Sequence, residues 1–243
     1  MKLIKLNAID STSSFLKELA QNSAVENYTV VVTKEQTKGR GQQASSWISE
    51  SSKNLTMSVF INDFNLEIHH HKYLNFAISL AIFDVLSTKK IEKLSIKWPN
   101  DIMSANKKIC GILVENSIRN NKIYTSIVGM GLNVNQIKFP AFLDKASSLK
   151  KITNINYNLD LLLLEIVYQI KYRVKLLIAK KYSELERDYL NVLYKKDVPT
   201  MFKDYNDVLF MGMITGISST GNLQVQLEDE TTKEFRIKEI TIA

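Results

Sequence analysis

Apolar and polar positions alternate along this 243-residue chain in patterns that predict both helices and strands. A Ser-Thr pair before an apolar stripe predicts a helix that begins near Thr12. Apolar residues at helical spacing predict a long, mostly buried helix over 70–87 and two further helices within 159–190. Runs rich in β-branched residues or bounded by turn signals predict strands at 28–36, 54–61, 93–101 and 122–135, with a hairpin over 101–116.

The pattern changes near residue 190. Short alternating strands follow, separated by turn signals such as Ser-Thr-Gly-Asn and Glu-Asp-Glu, and predict a small antiparallel barrel or sandwich. We therefore predict two domains, 1–190 and 191–243. The predicted class is α+β, in which helices back a mixed sheet and a small β domain follows.

The formal net charge of +7 favours acidic partners such as nucleic acid, phosphates or an acidic protein. The lysines are scattered, however, and scattered lysines are more typical of solvated surfaces. Cys110 is the only cysteine, which excludes an internal disulfide and favours a reducing compartment. Because the chain has no long apolar run and no signal-peptide pattern, we expect a cytoplasmic protein.

The stretch TKGRGQQASSW, residues 37–47, places Arg40 between Gly39 and Gly41. Glycines at these positions would let the backbone approach a ligand closely and adopt a positive φ. The amide groups and the guanidinium could then hold a phosphate or a carboxylate. The spacing is neither a Walker A nor a GxGxxG motif. The alternative is a flexible surface loop with one isolated charge.

The stretch KWPND, residues 97–101, ends a predicted strand with a turn. Asp101 could hold Mg²⁺, which prefers one or two carboxylates together with phosphate oxygens. The alternative is an ordinary corner between a strand and a turn, in which Asn100 and Asp101 only favour the turn.

The stretch KKICGILVEN, residues 107–116, places apolar side chains on both faces of a predicted strand. A strand that is apolar on both faces is expected to lie in the interior of a sheet. Simple alternation places Gly111 on one face, and Lys108, Cys110 and Ile112 on the other. Gly111 would leave a gap for a ligand, and Lys108 at the end of the strand could bind a carboxylate. Alternatively, Lys107 and Lys108 only shield the strand end from water.

The stretch GMGLNVN, residues 129–135, combines glycines with asparagines at the end of another predicted strand. Gly129 and Gly131 allow close approach, and Asn133 could hydrogen-bond a base or a ribose. A tightly packed buried strand is the alternative. The three adjacent histidines at 69–71 cannot converge on one metal ion from a helix, because successive residues point about 100° apart.

Taken together and in this order, these stretches resemble the biotin–protein ligases. The resemblance covers residues 10 to about 150, with KWPND followed by Lys-x-x-Gly-Ile-Leu-Val-Glu as its most specific part. It implies the class II synthetase-like fold of biotin and lipoate ligases with a small C-terminal SH3-like β-barrel. The motifs that carry it are DST (10–12), EQTKGRGQ…W (35–47), NL (54–55), KWPND (97–101), KKICGILVE (107–115), GMGLNVN (129–135) and ASSL (146–149).

The resemblance implies a two-step reaction with biotin, ATP and Mg²⁺. The biotin carboxylate attacks the α-phosphate of ATP and gives biotinyl-5′-AMP and pyrophosphate. A lysine of a biotin acceptor domain, such as the biotin carboxyl carrier protein of a carboxylase, then attacks the mixed anhydride. The first step needs positive charge to bring two anions together, and the intermediate needs protection from water.

The resemblance also implies roles for individual residues. Lys108, Arg40 and Asp101 would be catalytic, and Asp101 would lie at the metal. Biotin would contact Ser11, Thr12, Gln36, Gly39, Arg40, Gly41, Lys108, Gly111 and Ile112. ATP would contact Arg40, Gln42, Trp47, Asn100 and Asn133.

Two positions depart from the pattern of the family. Many members have a second arginine where this chain has Gln42, and a glycine where it has Ala44. The lost charge would loosen the hold on biotinyl-5′-AMP, although glutamine can still donate a hydrogen bond.

The DST motif begins at residue 10, so we expect no N-terminal DNA-binding domain, no nucleic-acid partner and no membrane association. Homodimerisation through edge strands is compatible with the resemblance. Two rival interpretations stay open: a lipoate–protein ligase, which shares the fold and the chemistry, and a basic nucleic-acid-binding module. The second lacks a recognition-helix motif or an aromatic RNA-binding signature.

Overall fold

A computed structural model describes residues 1–42 and 45–243. The helices are α1 (Thr12–Asn22), α2 (His71–Ser87), α3 (Leu149–Thr153), α4 (Leu159–Ile178) and α5 (Tyr182–Asn191). The first strands are β1 (Leu3–Ile9), β2 (Val30–Gln36), β3 (Leu55–Glu67), β4 (Leu94–Lys97), β5 (Asp101–Ser104), β6 (Lys107–Arg119) and β7 (Lys122–Leu132). The last five strands are β8 (Pro199–Asp204), β9 (Leu209–Ile217), β10 (Leu223–Leu227), β11 (Thr232–Phe235) and β12 (Ile240–Ile242).

A seven-stranded sheet in the order β1-β2-β3-β7-β6-β5-β4 forms the larger part of the fold. Strands β1 and β2 are parallel and the other neighbours are antiparallel, so the predicted mixed sheet is confirmed. The apolar pattern does not predict β1, whose residues are all exposed or half-buried at the sheet edge. The strands and helices that the pattern does predict are present. Strand β3 is longer than predicted and runs to Glu67 instead of ending near residue 61.

Helices cover both faces of this sheet. Helix α1 packs on one face in a small cluster of buried residues formed by Leu16, Val31, Phe60 and Ile127. Helices α2 and α4 pack together on the other face as part of the main core. Ser11 caps α1 by accepting a hydrogen bond from the Ser14 amide at 3.4 Å, so the helix begins at Thr12 as predicted.

Strand β6 carries an irregularity that changes which of its residues share a face. Ile102 of β5 pairs with Cys110, but the next residue, Met103, pairs with Lys108, so Ile109 is an extra residue in β6. Simple alternation places Lys108 and Gly111 on opposite faces, and that prediction is wrong. A Cβ atom at Gly111 would lie 3.2 Å from both Cε and Nζ of Lys108. The central position of β6, between β7 and β5, is as predicted.

The C-terminal strands form a five-stranded antiparallel sheet in the order β11-β10-β9-β8-β12. The predicted barrel is wrong in one respect, because the edge strands β11 and β12 do not pair and the sheet stays open. Both edges are short, with four and three residues. Buried residues of the sheet, such as Phe202 and Val225, belong to the same core as the large sheet, so burial of its apolar face does not require closure.

The small sheet also contacts the KWPND turn. The Trp98 indole donates to the Gly221 carbonyl at 3.1 Å. The small sheet is also tied to α2, where the buried Lys72 ammonium donates to the Ser218 carbonyl at 3.1 Å.

Within the part of the chain that the structure describes, no helix is both long and apolar enough to cross a bilayer.

Candidate active site

One cavity of about 240 Å³ collects most of the residues that the sequence motifs single out. We call it the site cavity. Its lining comes from the start of α1, the end of β2, described residues of the 37–47 segment, the start of β3, the KWPND turn, the first half of β6, the end of β7 and the turn before β12. Distant stretches of sequence thus meet at one place, as the family resemblance implies.

Polar groups line the site cavity at the start of α1. Ser11, Thr12 and Ser13 line the cavity and are almost fully buried. The amide and the hydroxyl of Thr12 both donate to Oε1 of Gln36, at 2.8 and 3.1 Å. Gln36 therefore has its Nε2 group left as a donor for a ligand. The arrangement can bind a ligand that offers both hydrogen-bond donors and acceptors.

The described parts of the 37–47 segment, residues 37–42 and 45–47, are hydrogen-bonded to each other beside the cavity. The Trp47 amide donates to the Gly39 carbonyl at 2.9 Å, and the Gly41 amide donates to the Ser45 carbonyl at 2.7 Å. A Cβ atom at Gly39 would lie 2.3 Å from the Trp47 carbonyl oxygen, so these two backbones meet only because residue 39 is a glycine. The expected positive φ is absent at Gly39 and Gly41, so close approach, not backbone handedness, accounts for the glycines.

Arg40 and Gln42 of this segment line the site cavity. The Arg40 guanidinium forms an ion pair with Glu115 at 2.9 Å, and 45% of its side chain is exposed. A partly exposed pair of this kind is weak, so Arg40 can exchange Glu115 for an anionic ligand. Ala44, the other departure from the family pattern, lies outside the described residues.

The KWPND turn brings Asn100 and Asp101 into the lining. Asn100 is buried and its amide donates to the Ile112 carbonyl, which ties the turn to β6. Asp101 accepts from the Lys108 ammonium at 2.7 Å, and 37% of the lysine side chain is exposed. Lys108 is thus held at the cavity but not enclosed by protein.

The cavity favours anions. Its described lining carries one negative side chain, Asp101, and three positive ones, Arg40, Lys108 and Lys238. Just outside the lining, burial lowers the pKa of the Lys97 ammonium; Asp101 opposes this shift, and Lys145 and Lys108 add to it. Crowded cations around one carboxylate would be relieved by a phosphate or carboxylate ligand.

The Trp47 indole packs against two glycines of the sheet. Added Cβ atoms would lie 2.3 Å from Cε2 of Trp47 at Gly131, and 3.0 Å from its Cζ3 at Gly111. The Lys108 ammonium lies 5.7 Å from the centre of the indole ring. Gly111 and Gly131 thus provide the close approach that the sequence predicts, here to an aromatic ring.

Two predicted site residues lie outside the lining. Gly39 lies beside Gln36 and Trp47 but does not line the cavity. Asn133 is buried, and its amide donates to the Ser147 carbonyl at 3.0 Å, so it braces the 146–149 segment, and its contact with a nucleotide stays a prediction. The Oδ1 atom of Asn133 is buried and has no hydrogen-bond partner among the described residues, so the loop satisfies only its amide group.

Other lining residues are missed by the motifs. Ile237 and Lys238 reach the cavity from the small sheet, and Ser13 follows the DST motif directly. A serine next to a motif is visible in sequence. How the small sheet packs against the large one is decided by tertiary contacts that no local pattern contains.

The charged side chains of the lining are compatible with the predicted Mg²⁺ site. Within 1–42 and 45–243, no three His, Cys, Asp or Glu side chains come together as a metal site. Asp101 is the one carboxylate among the described lining residues. This donor set fits Mg²⁺, which commonly takes one or two carboxylates and otherwise waters and substrate phosphates.

Comparison with known proteins agrees with this geometry. The family model "Biotin/lipoate A/B protein ligase family" matches residues 6–133. The bifunctional ligase/repressor BirA of Bacillus spizizenii is 34% identical over 134 residues, which cover 55% of this chain and 41% of that protein. The biotin--[acetyl-CoA-carboxylase] ligase of Mycobacterium tuberculosis is 27% identical over 129 residues, which cover 52% of this chain and 47% of that protein. The chain therefore matches less than half the length of these curated relatives.

The fold comparison extends over the whole chain. The biotin protein ligase from Aquifex aeolicus, in a complex with biotin and ATP, matches with a TM-score of 0.80 and 27% identity. The match covers 100% of this chain and 98% of that one. Since the family model matches more than half of the 243 residues, the chain belongs to the biotin/lipoate A/B protein ligase family.

Proposed function

We propose that this chain is an ATP-dependent biotin–protein ligase. The observation that carries the proposal is the site cavity itself, which joins the hydrogen-bonding Thr12–Gln36 pair to the cations Lys108 and Arg40. Such a cavity suits a ligand with a polar ring at one end and a carboxylate at the other. The similar structure from Aquifex aeolicus contains biotin and ATP, and relatives are named as biotin ligases.

In the first step, a carboxylate oxygen of biotin forms a bond to the α-phosphorus of ATP. The bond from that phosphorus to the bridging oxygen breaks, and pyrophosphate leaves with the electron pair. Both reactants are anionic, so cations that neutralise them lower the barrier. We assign this role to Lys108 and Arg40, which line the cavity, and adenylate contacts to Trp47, Gln42 and Asn100.

In the second step, the amine of an acceptor lysine attacks the carbonyl carbon of the mixed anhydride. The bond from that carbon to the phosphate oxygen breaks, AMP leaves, and the amine loses a proton. The anhydride hydrolyses if water enters, so the 37–47 segment would cover it, with Arg40 on its phosphate. Gln42, in place of a second arginine, would weaken this cover.

Bound Mg²⁺ would neutralise the phosphates of ATP and the departing pyrophosphate. Asp101 is the residue that would hold it, because its carboxylate lies in the lining. The Lys108 ammonium lies 2.7 Å from the same carboxylate, so the lysine and the metal would both neutralise charge on the same phosphates.

The proposed division of labour follows the predicted domains. Residues 1–190 would bind biotin and ATP, and residues 191–243 would complete the nucleotide end through Ile237 and Lys238. The partner would be a biotin acceptor domain, such as the biotin carboxyl carrier protein of a carboxylase, and the net charge of +7 suits an acidic one. Homodimerisation through edge strands stays a prediction.

Transfer of labelled acid to an acceptor domain tests the proposal. The chain is incubated with ATP, Mg²⁺ and either labelled biotin or labelled lipoate, together with the acceptor domain of a biotin carboxyl carrier protein. We expect label from biotin on the acceptor lysine, and none from lipoate. Transfer of lipoate but not of biotin would contradict the proposal. The chain would then be a lipoate ligase, the other activity in the name of its family.

A further inference from the structure

A chain of buried hydroxyl groups runs behind the site cavity. Ser58, near the start of β3, is 0% exposed and does not line the cavity. Its Oγ lies 2.8 Å from the Thr12 hydroxyl and 2.9 Å from the Ser13 hydroxyl. Thr12 and Ser13 both line the cavity, so Ser58 joins two groups that a ligand can touch.

The direction of every hydrogen bond in this chain follows from one backbone donor. The Thr12 amide can only donate, so the Gln36 atom 2.8 Å away is the carbonyl oxygen Oε1. That oxygen can only accept, so the Thr12 hydroxyl, 3.1 Å away, donates its single proton to it. The contact between Thr12 and Ser58 is therefore donated by Ser58.

The same count settles the last contact. The Ser58 hydroxyl donates its only proton to Thr12, so it can only accept from Ser13, and the Ser13 hydroxyl is the donor. The order is Ser13 to Ser58 to Thr12 to Gln36, so the proton of each hydroxyl is engaged within the chain of hydrogen bonds. Ser13 and Thr12 consequently face the cavity as acceptors, and the Nε2 group of Gln36 remains as a donor.

We propose that Ser58 is a positioning residue that fixes this polarity and thereby sets ligand specificity. The inference rests on the proposed function. A cyclic urea such as that of biotin offers N–H donors beside a carbonyl acceptor, which complements two acceptors beside one donor. Without Ser58, the Ser13 proton loses its partner and is free to turn into the cavity, where it opposes a ligand N–H.

The chain offers a matched control for removal of a buried hydroxyl. Ser79 of α2 is also 0% exposed, and its hydroxyl has no hydrogen-bond partner among the described residues. Ser58→Ala should raise both the Kd and the KM for biotin about tenfold and leave kcat nearly unchanged, because one buried hydrogen-bond chain is lost. Ser79→Ala should leave all three values unchanged.

Packing and hydrogen bonding are separated by Ser58→Cys, which fills the volume but replaces the hydroxyl with a weak donor. We expect its Kd for biotin to stay close to that of Ser58→Ala; a return to the wild-type Kd would overturn the inference in favour of packing. Should Ser58→Ala fail to fold, Ser58→Cys carries the same comparison. Each variant is first checked for an unchanged unfolding temperature.

The direction of the hydrogen bonds is tested with a biotin analogue. In this analogue a ring oxygen replaces one ureido N–H, which gives a cyclic carbamate. The wild type should prefer biotin, and Ser58→Ala should reduce that preference about tenfold, since a freed Ser13 proton can donate to the ring oxygen. In a Ser13→Ala background, Ser58→Ala should change the preference much less. An equal loss for both ligands would overturn the inference.

Binding of biotin to the wild type and to Ser58→Ala distinguishes failure of the polarity inference from failure of the proposed function. If the wild type binds and activates biotin but Ser58→Ala binds it equally well, the polarity inference is wrong and the ligase proposal stands. If the wild type does not bind biotin, the ligase proposal fails, and the inference that depends on it fails too.

Discussion

The ammonium of Lys108 lies 2.7 Å from the carboxylate of Asp101, across the strand pair β5–β6. Both side chains are partly exposed to the site cavity, at 37% and 27%. An ion pair at this exposure is worth little by itself, so it positions the lysine more than it stabilises the fold. A ligand anion can therefore take over Lys108 without a large loss of stability.

Replacement of Lys108 tests its role in neutralising the reacting anions. Lys108→Ala should lower biotin-dependent pyrophosphate release by about 10²–10³-fold, the usual effect of removing one donor that stabilises developing charge. The unfolding temperature should hardly change. Lys107→Ala is the matched control, because the neighbouring ammonium donates to the Asp144 carbonyl at 2.6 Å, outside the cavity. Equal rates for the two variants would exclude Lys108 from the chemistry.

Asp101 is proposed as the carboxylate at the metal. Asp101→Asn keeps the size of the side chain but removes its charge, so half-maximal activity should require about tenfold more Mg²⁺, as expected for a lost carboxylate ligand. The measurement is a magnesium titration of pyrophosphate release at saturating ATP. Asp160→Asn serves as the control, since that exposed carboxylate pairs with Lys5. An unchanged titration curve for Asp101→Asn would remove it from the metal site.

Arg40 is proposed to hold the intermediate under the 37–47 segment. Arg40→Gly should let biotinyl-5′-AMP escape, so lysines of a bystander protein such as serum albumin become labelled several-fold faster. The control is Arg119→Ala, an exposed arginine at the end of β6. If bystander labelling does not rise in Arg40→Gly, the retention role is contradicted.

Gly131 is predicted to be essential for the shape of the cavity. In Gly131→Ala the new Cβ would meet Cε2 of Trp47 at 2.3 Å, so the indole must move. We expect weaker biotin binding and altered fluorescence from Trp47, which is one of two tryptophans. Gly216→Ala in the small sheet is the matched change, because its nearest neighbour is the end of the Gln224 side chain at 3.3 Å. Wild-type binding in Gly131→Ala would show that Trp47 has room to spare.

Much of the fold can be predicted from the local pattern of apolar and polar residues. The elements that this pattern misses are missed for physical reasons. The start of α1 at Thr12 is predicted because a serine cap and an apolar stripe act within one helical turn. Edge strand β1 is missed because a strand that buries little of its surface carries little apolar signal. The small sheet stays open because its buried face completes the core of the large sheet, a contact between distant segments.

The site shows the same division. Motifs find Arg40, Asp101 and Lys108 because their residue types are unusual in context. The shared face of Lys108 and Gly111 is invisible to simple alternation, because it depends on the extra residue Ile109 in β6. Ser58 is missed for another reason: a buried serine in a strand has no distinguishing neighbours in sequence, and its role follows only from the hydroxyl groups of Thr12 and Ser13.

We propose that a carboxylic acid and a nucleotide meet in the site cavity and become a mixed anhydride. The most direct test is to incubate the chain with biotin, ATP and Mg²⁺ in the absence of any acceptor, and to identify the protein-bound small molecules by mass spectrometry. We expect bound biotinyl-5′-AMP and one pyrophosphate released for each molecule formed. Recovery of unreacted biotin and ATP, with no pyrophosphate, would contradict it.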